Sequence, residues 1–165
     1  MIFIDAGTRR FQLRACALIR AHDHILIHRA VTDQSWSLPG GRVEHGEAAA
    51  ETLRREVLEE LGTGSEIGPL RLLIENFFRM DGCDAHEVGL YYDATLAAPP
   101  AFRLDDVVHR CRDGDADLEF RWVETDPASL SRWSLRPTLL RDLLADVPDT
   151  VQHRVHRDAS LKEPS

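Results

Sequence analysis

The chain has 165 residues, 43% hydrophobic and 29% charged, a composition that suits one globular domain with a true core and excludes a largely disordered chain. A formal charge of −8 argues against a nucleic-acid polymer as partner, although a small phosphorylated substrate fits if a cation supplies positive charge. No apolar run approaches the roughly 20 residues that cross a bilayer, and Met1-Ile2-Phe3-Ile4-Asp5 lacks the basic and long apolar regions of a secretory leader, so a cytoplasmic protein without membrane association is expected.

In chain order, residues 12–19 are mostly apolar and predict a buried strand. Polar Ala21-His22-Asp23-His24 interrupts and Ile25-Leu26-Ile27 resumes, which reads as a hairpin. His22, His24 and His28 surround that turn without a partner at ligand spacing, so they are read as solvated. Trp36-Ser37-Leu38 is a short extended piece stopping at the turn signal Pro39-Gly40-Gly41. Residues 48–61 predict a helix, because Leu53, Val57 and Leu61 recur every fourth residue, Glu47 leads in at its positive end, and Gly62 follows as a left-handed cap.

After the helix, residues 70–78, 87–96 and 118–123 read as strands, with Gly82 and Pro99-Pro100 marking breaks. Trp36, Phe77, Phe78, Tyr91 and Trp122 are assigned to the core, with one of them at most left for stacking on a ligand. Asp113, Asp115, Asp117, Glu119 and Glu124 have the spacing of a calcium loop, but Leu118 stands where glycine is required and the segment runs into a strand, so calcium is rejected. Residues 137–144 predict a second helix, with Leu139, Leu140, Leu143 and Leu144 at helical spacing behind Pro137. Beyond Pro148 the chain is polar and expected to fray, which puts the core at about residues 10–147 of a single domain spanning 1–165. Cys16, Cys83 and Cys111 are odd in number and far apart, so neither a disulfide framework nor a zinc pair is expected. Strands, helix, strands and helix in that order predict an α/β domain whose mixed sheet is flanked by helices.

The first helix carries the chemistry. At about 100° per residue, Glu56, Glu59 and Glu60 fall within roughly a 100° arc, and Glu56 and Glu60 border the apolar stripe. Carboxylates crowded beside a core raise one another's pKa unless positive charge sits among them. Arg55 offsets part of that charge, and a hard divalent cation answers the rest with oxygen ligands. Taken alone, Arg54-Arg55-Glu56-Val57-Leu58-Glu59-Glu60 is also what a solvated, ion-paired helix looks like.

It does not stand alone. Gly41, then Glu47 after five residues, then Arg55-Glu56-Val57-Leu58-Glu59-Glu60-Leu61-Gly62 after seven more, resembles the signature of the Nudix hydrolases, and Leu38-Pro39-Gly40-Gly41 resembles that family's approach to it. Thr63 departs from the aliphatic residue preferred at the signature's last place. The resemblance implies an α/β/α sandwich and an enzyme that hydrolyses a nucleoside diphosphate linked to another group, using Mg²⁺ or Mn²⁺. Carried over by position, it implies Glu56, Glu59, Glu60 and the carbonyl of Gly40 as metal ligands. Glu47 and Arg55 become the pair that orients those ligands, and Gly41 and Gly46 let the loop bend.

The general base is expected from the signature glutamates, Glu59 or Glu60, or from a later acid, with Glu119 first and Glu87 second. Substrate cues outside the signature are missing. Phe78-Arg79 stand where ADP-ribose hydrolases carry a proline, and Met80-Asp81 where dinucleoside polyphosphate hydrolases carry a tyrosine. The expected partner is a small nucleotide-type substrate, and a homodimer stays open. The alternative is a nucleotide-binding or sensor domain without turnover, which the full set of signature acids disfavours.

Overall fold

A computed structural model describes residues 1–159 and 161. Ten strands and three helices follow one another along the chain, counted among these residues. Before the long helix come β1 (Phe3–Asp5), β2 (Arg9–Leu18), β3 (Arg20–Ala21), β4 (His24–Ala30) and β5 (Gly40–Arg42). Helix α1 (Ala49–Leu61) precedes the hairpin of β6 (Ser65–Met80) and β7 (Cys83–Leu96), then β8 (His109–Asp113) and β9 (Ala116–Glu124). Two short helices, α2 (Pro127–Arg132) and α3 (Leu140–Leu143), lead to β10 (Gln152–Arg157).

The strands form a six-stranded mixed sheet, ordered β1-β2-β7-β6-β10 with β5 also on β2, and a four-stranded antiparallel sheet ordered β3-β4-β9-β8. The expected mixed sheet flanked by helices is thus present, and a second sheet continues its layer. Alternation along β2 and β4 divides the core. Ala15, Ala17 and Leu26 face α1 through Leu53, Val57 and Leu61, while Cys16, Leu18, Ile25 and Ile27 face Leu130, Leu135 and Leu140. Helices on both faces of a strand layer make the α/β/α sandwich.

Helix α1 begins and ends where its sequence calls for it. The Glu51 carboxylate accepts the Ala48 amide at 2.7 Å, and Gly62 turns left-handed at φ 66° so that its amide returns to Leu58.

Three expectations change. Pro39-Gly40-Gly41 is not a plain turn: Gly40 and Gly41 enter β5 and pair with Cys16 and Ala15 of β2. The helix over 137–144 shrinks to the four residues of α3, because the leucine spacing there serves a compact turn packed on α2 rather than a regular helix face. The polar stretch after Pro148 carries β10, which lies parallel to β6 from Gln152↔Leu72 to Arg157↔Phe77. Strand β1 lies at the other end of the same sheet. The last part of the tail expected to fray, residues 162–165, lies outside the described residues. Among the described residues no helix is long and apolar enough to cross a membrane.

Candidate active site

Arg55 is the hub of the acidic helix. Its Nε and Nη2 donate to the two oxygens of Glu47 at 3.0 Å each, and its Nη1 donates to Glu56 at 2.7 Å and to Glu59 at 3.5 Å. Thr52 Oγ1 adds a bond to Glu47 at 2.7 Å. These partners, Arg55 first and Thr52 second, hold the Glu47 carboxyl at about 2, far below the usual carboxylate range. The same bonds keep the Arg55 guanidinium charged at every relevant pH.

The three signature acids occupy different environments. Glu56 is largely buried over Gly41, so closely that a Cβ at position 41 would lie 2.2 Å from its Oε1. Burial raises its pKa against the pull of Arg55, and neighbouring Glu60 raises it further. Glu59 is 58% exposed and turned toward Arg55. Glu60 is buried at 5% exposure with Oε2 3.5 Å from Nδ1 of His28. Neither Glu60 Oε2 nor His28 Nδ1 has a hydrogen-bond partner among the described residues. Phe120 packs on His28, and His109 Nε2 reaches the backbone oxygen of Glu60 at 2.7 Å, which fixes the end of α1 on the second sheet.

As placed, no three His, Cys, Asp or Glu side chains among the described residues converge to hold a metal. The donor chemistry nevertheless fits a hard divalent cation: three carboxylates on one helix, the Gly40 carbonyl on the neighbouring strand, and one buried carboxylate oxygen that accepts no hydrogen bond. Glu59 alone is outside that pocket, tethered only by its long contact to Arg55.

The two later acids are brought to the opposite face. Strand alternation turns Glu119 away from Phe120 and α1, where Arg29 binds it at 2.9 Å, with Arg110 3.8 Å away. Arg29 in turn lies 4.6 Å from the Trp36 ring. Glu87 shares the face of Cys16 and Tyr91 and hydrogen-bonds Gln12. Neither acid joins the α1 carboxylates. Glu87 instead lines a cleft of about 670 Å³, together with Gln12, Arg14, Asn76, Phe78 and Tyr91. The cleft and the acidic helix share the edge made by residues 38–41: Arg14 Nη2 bonds the Leu38 carbonyl at 3.3 Å on one side, and Glu56 rests on Gly41 on the other.

Some sequence readings fail here and others hold. His24 and His28 are buried at 7% each rather than solvated; His28 alternates with Leu26 on the α1 face of β4, a period-2 signal that the hairpin reading overlooked. Trp36, Tyr91 and Trp122 are core as expected, whereas Phe78 lines the cleft. The acids with calcium-loop spacing lie on the β8–β9 hairpin, where Arg112 pairs with Asp117. Sequence reasoning missed Gln12, Arg14 and Asn76. Their signal is polar residues on the inward face of long strands.

Comparison with known proteins agrees with this geometry. The profile of the NUDIX domain matches residues 10–143. Among solved structures, a mutator MutT protein from Bacillus halodurans superposes with a TM-score of 0.59 at 17% identity, covering 92% of this chain and 93% of that one. An ADP-ribose pyrophosphatase from Streptococcus suis gives 0.56 at 15% identity over 87% and 98%. The E. coli ORF135 protein gives 0.50 at 22% identity over 85% and 90%. At such identities the superpositions show a common fold. The profile match shows more: the chain belongs to the Nudix family, and by that membership it is a hydrolase of phosphoanhydride bonds.

Proposed function

We propose that the chain is a Mg²⁺- or Mn²⁺-dependent pyrophosphohydrolase acting on a nucleoside diphosphate linked to another group, nucleoside triphosphates included. One observation carries this reading above the others. Glu60 is buried on α1 with one oxygen that accepts no hydrogen bond and has the His28 imidazole 3.5 Å away, one turn along from Glu56, which lies over Gly41. A buried carboxylate oxygen that accepts no full hydrogen bond is rare, and a cation would satisfy it.

Glu56, Glu59, Glu60 and the Gly40 carbonyl would hold the metal. When bound, it would offset phosphoryl charge and make a coordinated water acidic at neutral pH. The residues themselves do the rest. Arg55, gripped by Glu47, orients Glu56 and leaves its second oxygen free of the guanidinium. Glu59, exposed and loosely held, is the acid best placed to accept a proton from water. The cleft, whose lining includes Ser35, Ser37, Arg136 and Pro137, takes the nucleotide's remaining parts. Glu119, on the far face and held by Arg29, serves there as a structural ion pair. Three cysteines without a disulfide suit a reducing compartment, in keeping with the cytoplasm.

The test is Glu60→Gln and Glu59→Gln. Each should lower Mg²⁺-dependent phosphate release from a nucleotide panel by about 10²-fold or more while leaving circular dichroism unchanged. Glu60→Gln should also abolish the rise in Tm produced by Mg²⁺ alone. Full turnover in both variants defeats the assignment. A wild-type protein that binds nucleotides with Mg²⁺ yet releases no phosphate is a sensor, the rival reading.

A further inference from the structure

Strand register sets out the α1 side of the mixed sheet row by row. Ile4, Phe11, His86, Phe77 and Arg157 stand abreast on β1, β2, β7, β6 and β10. Leu13, Val88, Glu75 and Val155 form the next row, and Leu90, Leu73 and His153 the one after. Helix α1 covers another part of the sheet: the core beneath it takes Ala15 and Ala17 from β2, Ile67 from β6, and Ala94 and Leu96 from β7, away from the hairpin turn. Phe11, Leu73, Phe77, Val88 and Leu90 belong to neither core cluster and are part-exposed, while Ile4 and Val155 are 60% and 54% exposed.

Strands β2 and β7 run parallel, as do β6 and β10, and parallel strands are ordinarily covered on both sides. With strands about 4.8 Å apart and rows about 6.7 Å apart, the three rows make an open patch of roughly 400 Å² among the described residues. That is the size of the largest, often functional, apolar patch on a typical monomer. Its polar groups are settled among themselves. Glu75 is the one carboxylate in the three rows; His153 Nε2 bonds it at 2.8 Å, and His86 Nε2 is 3.8 Å away. The Arg157 guanidinium lies 4.1 Å over the Phe77 ring. Beyond the first row, Arg9, Asp84 and Arg79 form a polar rim, with Arg79 3.7 Å from Asp84.

We propose that a second copy of the chain covers this face, sheet against sheet about a two-fold axis, in a weak and reversible dimer. Charge selects this occupant. A membrane surface or a charged partner is recruited by unpaired charge, which the three rows lack apart from Arg157, whereas an apolar patch with paired charges is complementary to itself. The chain carries −8, so two copies repel wherever their acids meet, and on this face the one acid is already bonded. Area sets the strength. Two patches bury about 800 Å² before their rims join, on the small side for a stable pair, which makes the association concentration-dependent. Gln12, Glu87 and Asn76 line the cleft on the opposite side of the same strands, so the cleft stays open in the dimer. The dimer stands whether or not the chain turns over a substrate.

Sedimentation velocity of the full chain from about 5 µM to about 500 µM measures the association by mass action. The weight-average sedimentation coefficient should rise with concentration toward that of a dimer. Val88→Glu, at the centre of the face, and Val155→Glu, at a position exposed enough to accept a charge, should each weaken the association about tenfold or more with circular dichroism unchanged. Leu58→Glu, 58% exposed on α1 and outside the face, should associate as the wild type does. If Val88→Glu loses its fold, Val155→Glu decides alone. A wild-type chain that stays monomeric at the highest concentration overturns the proposal whatever the variants do. A dimer that survives both face substitutions overturns it as well, because the copies then meet elsewhere. A monomer that instead co-sediments with phosphatidylcholine vesicles gives the face to a membrane and rejects the second copy.

Discussion

Arg55 reaches three carboxylates at once, bonding both oxygens of Glu47 and one oxygen each of Glu56 and Glu59. Its forked guanidinium suits this arrangement, which a lysine's point charge would not reproduce. The bonds depress the Glu47 pKa from the usual 4.5 to about 2, with Arg55 as the main cause. A depressed carboxyl contributes stability that is complete above its unfolded value and disappears as pH falls through its folded one. Glu47→Gln should therefore lower Tm by a few degrees at pH 6–7, and the gap to wild type should close progressively from about pH 4.5 to about pH 2. Thermal unfolding of both proteins across that range measures it. A gap that stays constant down to pH 2 would show that the amide loses packing rather than charge. Glu47 and Arg55 are recognisable as partners through the resemblance to the Nudix signature. The burial of His28 against Glu60 was not, since a histidine beside a turn reads the same whether it faces water or a helix.

Strand β5 shows how two adjacent glycines at one edge do separate jobs. Gly40 has φ 144°, and a Cβ there would lie 2.0 Å from the Ala15 carbonyl of β2, a backbone atom that cannot withdraw. Gly41 would instead meet the Glu56 carboxylate, the far end of a flexible side chain. Gly40→Ala should thus cost about 2–4 kcal/mol of stability, seen as a lower urea midpoint. Gly41→Ala should unfold at nearly the wild-type midpoint but lose Mg²⁺-dependent turnover by about tenfold or more, because Glu56 is displaced. Equal stability losses in the two would remove the distinction. At this scale the readable elements were those with a buried periodic face: α1 through Leu53, Val57 and Leu61, and β2 and β4 through their apolar runs. Strands β8 and β10, reading HRCRD and QHRVHR, are edge strands held by backbone pairing, with little buried apolar surface to write an alternating pattern. Helix α2 carried a start signal in Asp126-Pro127, with the Asp126 side chain accepting the Ser129 amide at 2.9 Å, but six residues are too few to show a period.

For the molecule as a whole, the proposed metal site and the cleft lie on opposite sides of one layer of strands. The acids of α1 lie on one face, and the polar floor of Gln12, Glu87 and Asn76 lies on the other. They meet only along residues 38–41 and through Arg14, whose charge is stabilised by both Glu87 and Glu60 in spite of its burial. Strand β10 serves the cleft side. It extends the mixed sheet beside β6, brings His156 and Asp158 to the cleft, and ties Asp158 to Arg136 at 3.0 Å. Its gain is mainly a ladder of backbone bonds, each contributing about 0.5–1.5 kcal/mol net, since Val155 is 54% exposed. Ending the chain after Val147 should therefore lower stability by about 2–4 kcal/mol in urea unfolding without abolishing cooperative folding. The same truncation should weaken nucleotide binding in the cleft while the Mg²⁺-induced rise in Tm survives, because α1, β2 and β5 are untouched. Loss of both responses together would mean that the two faces are a single cooperative site, with β10 holding the acids as well as the cleft.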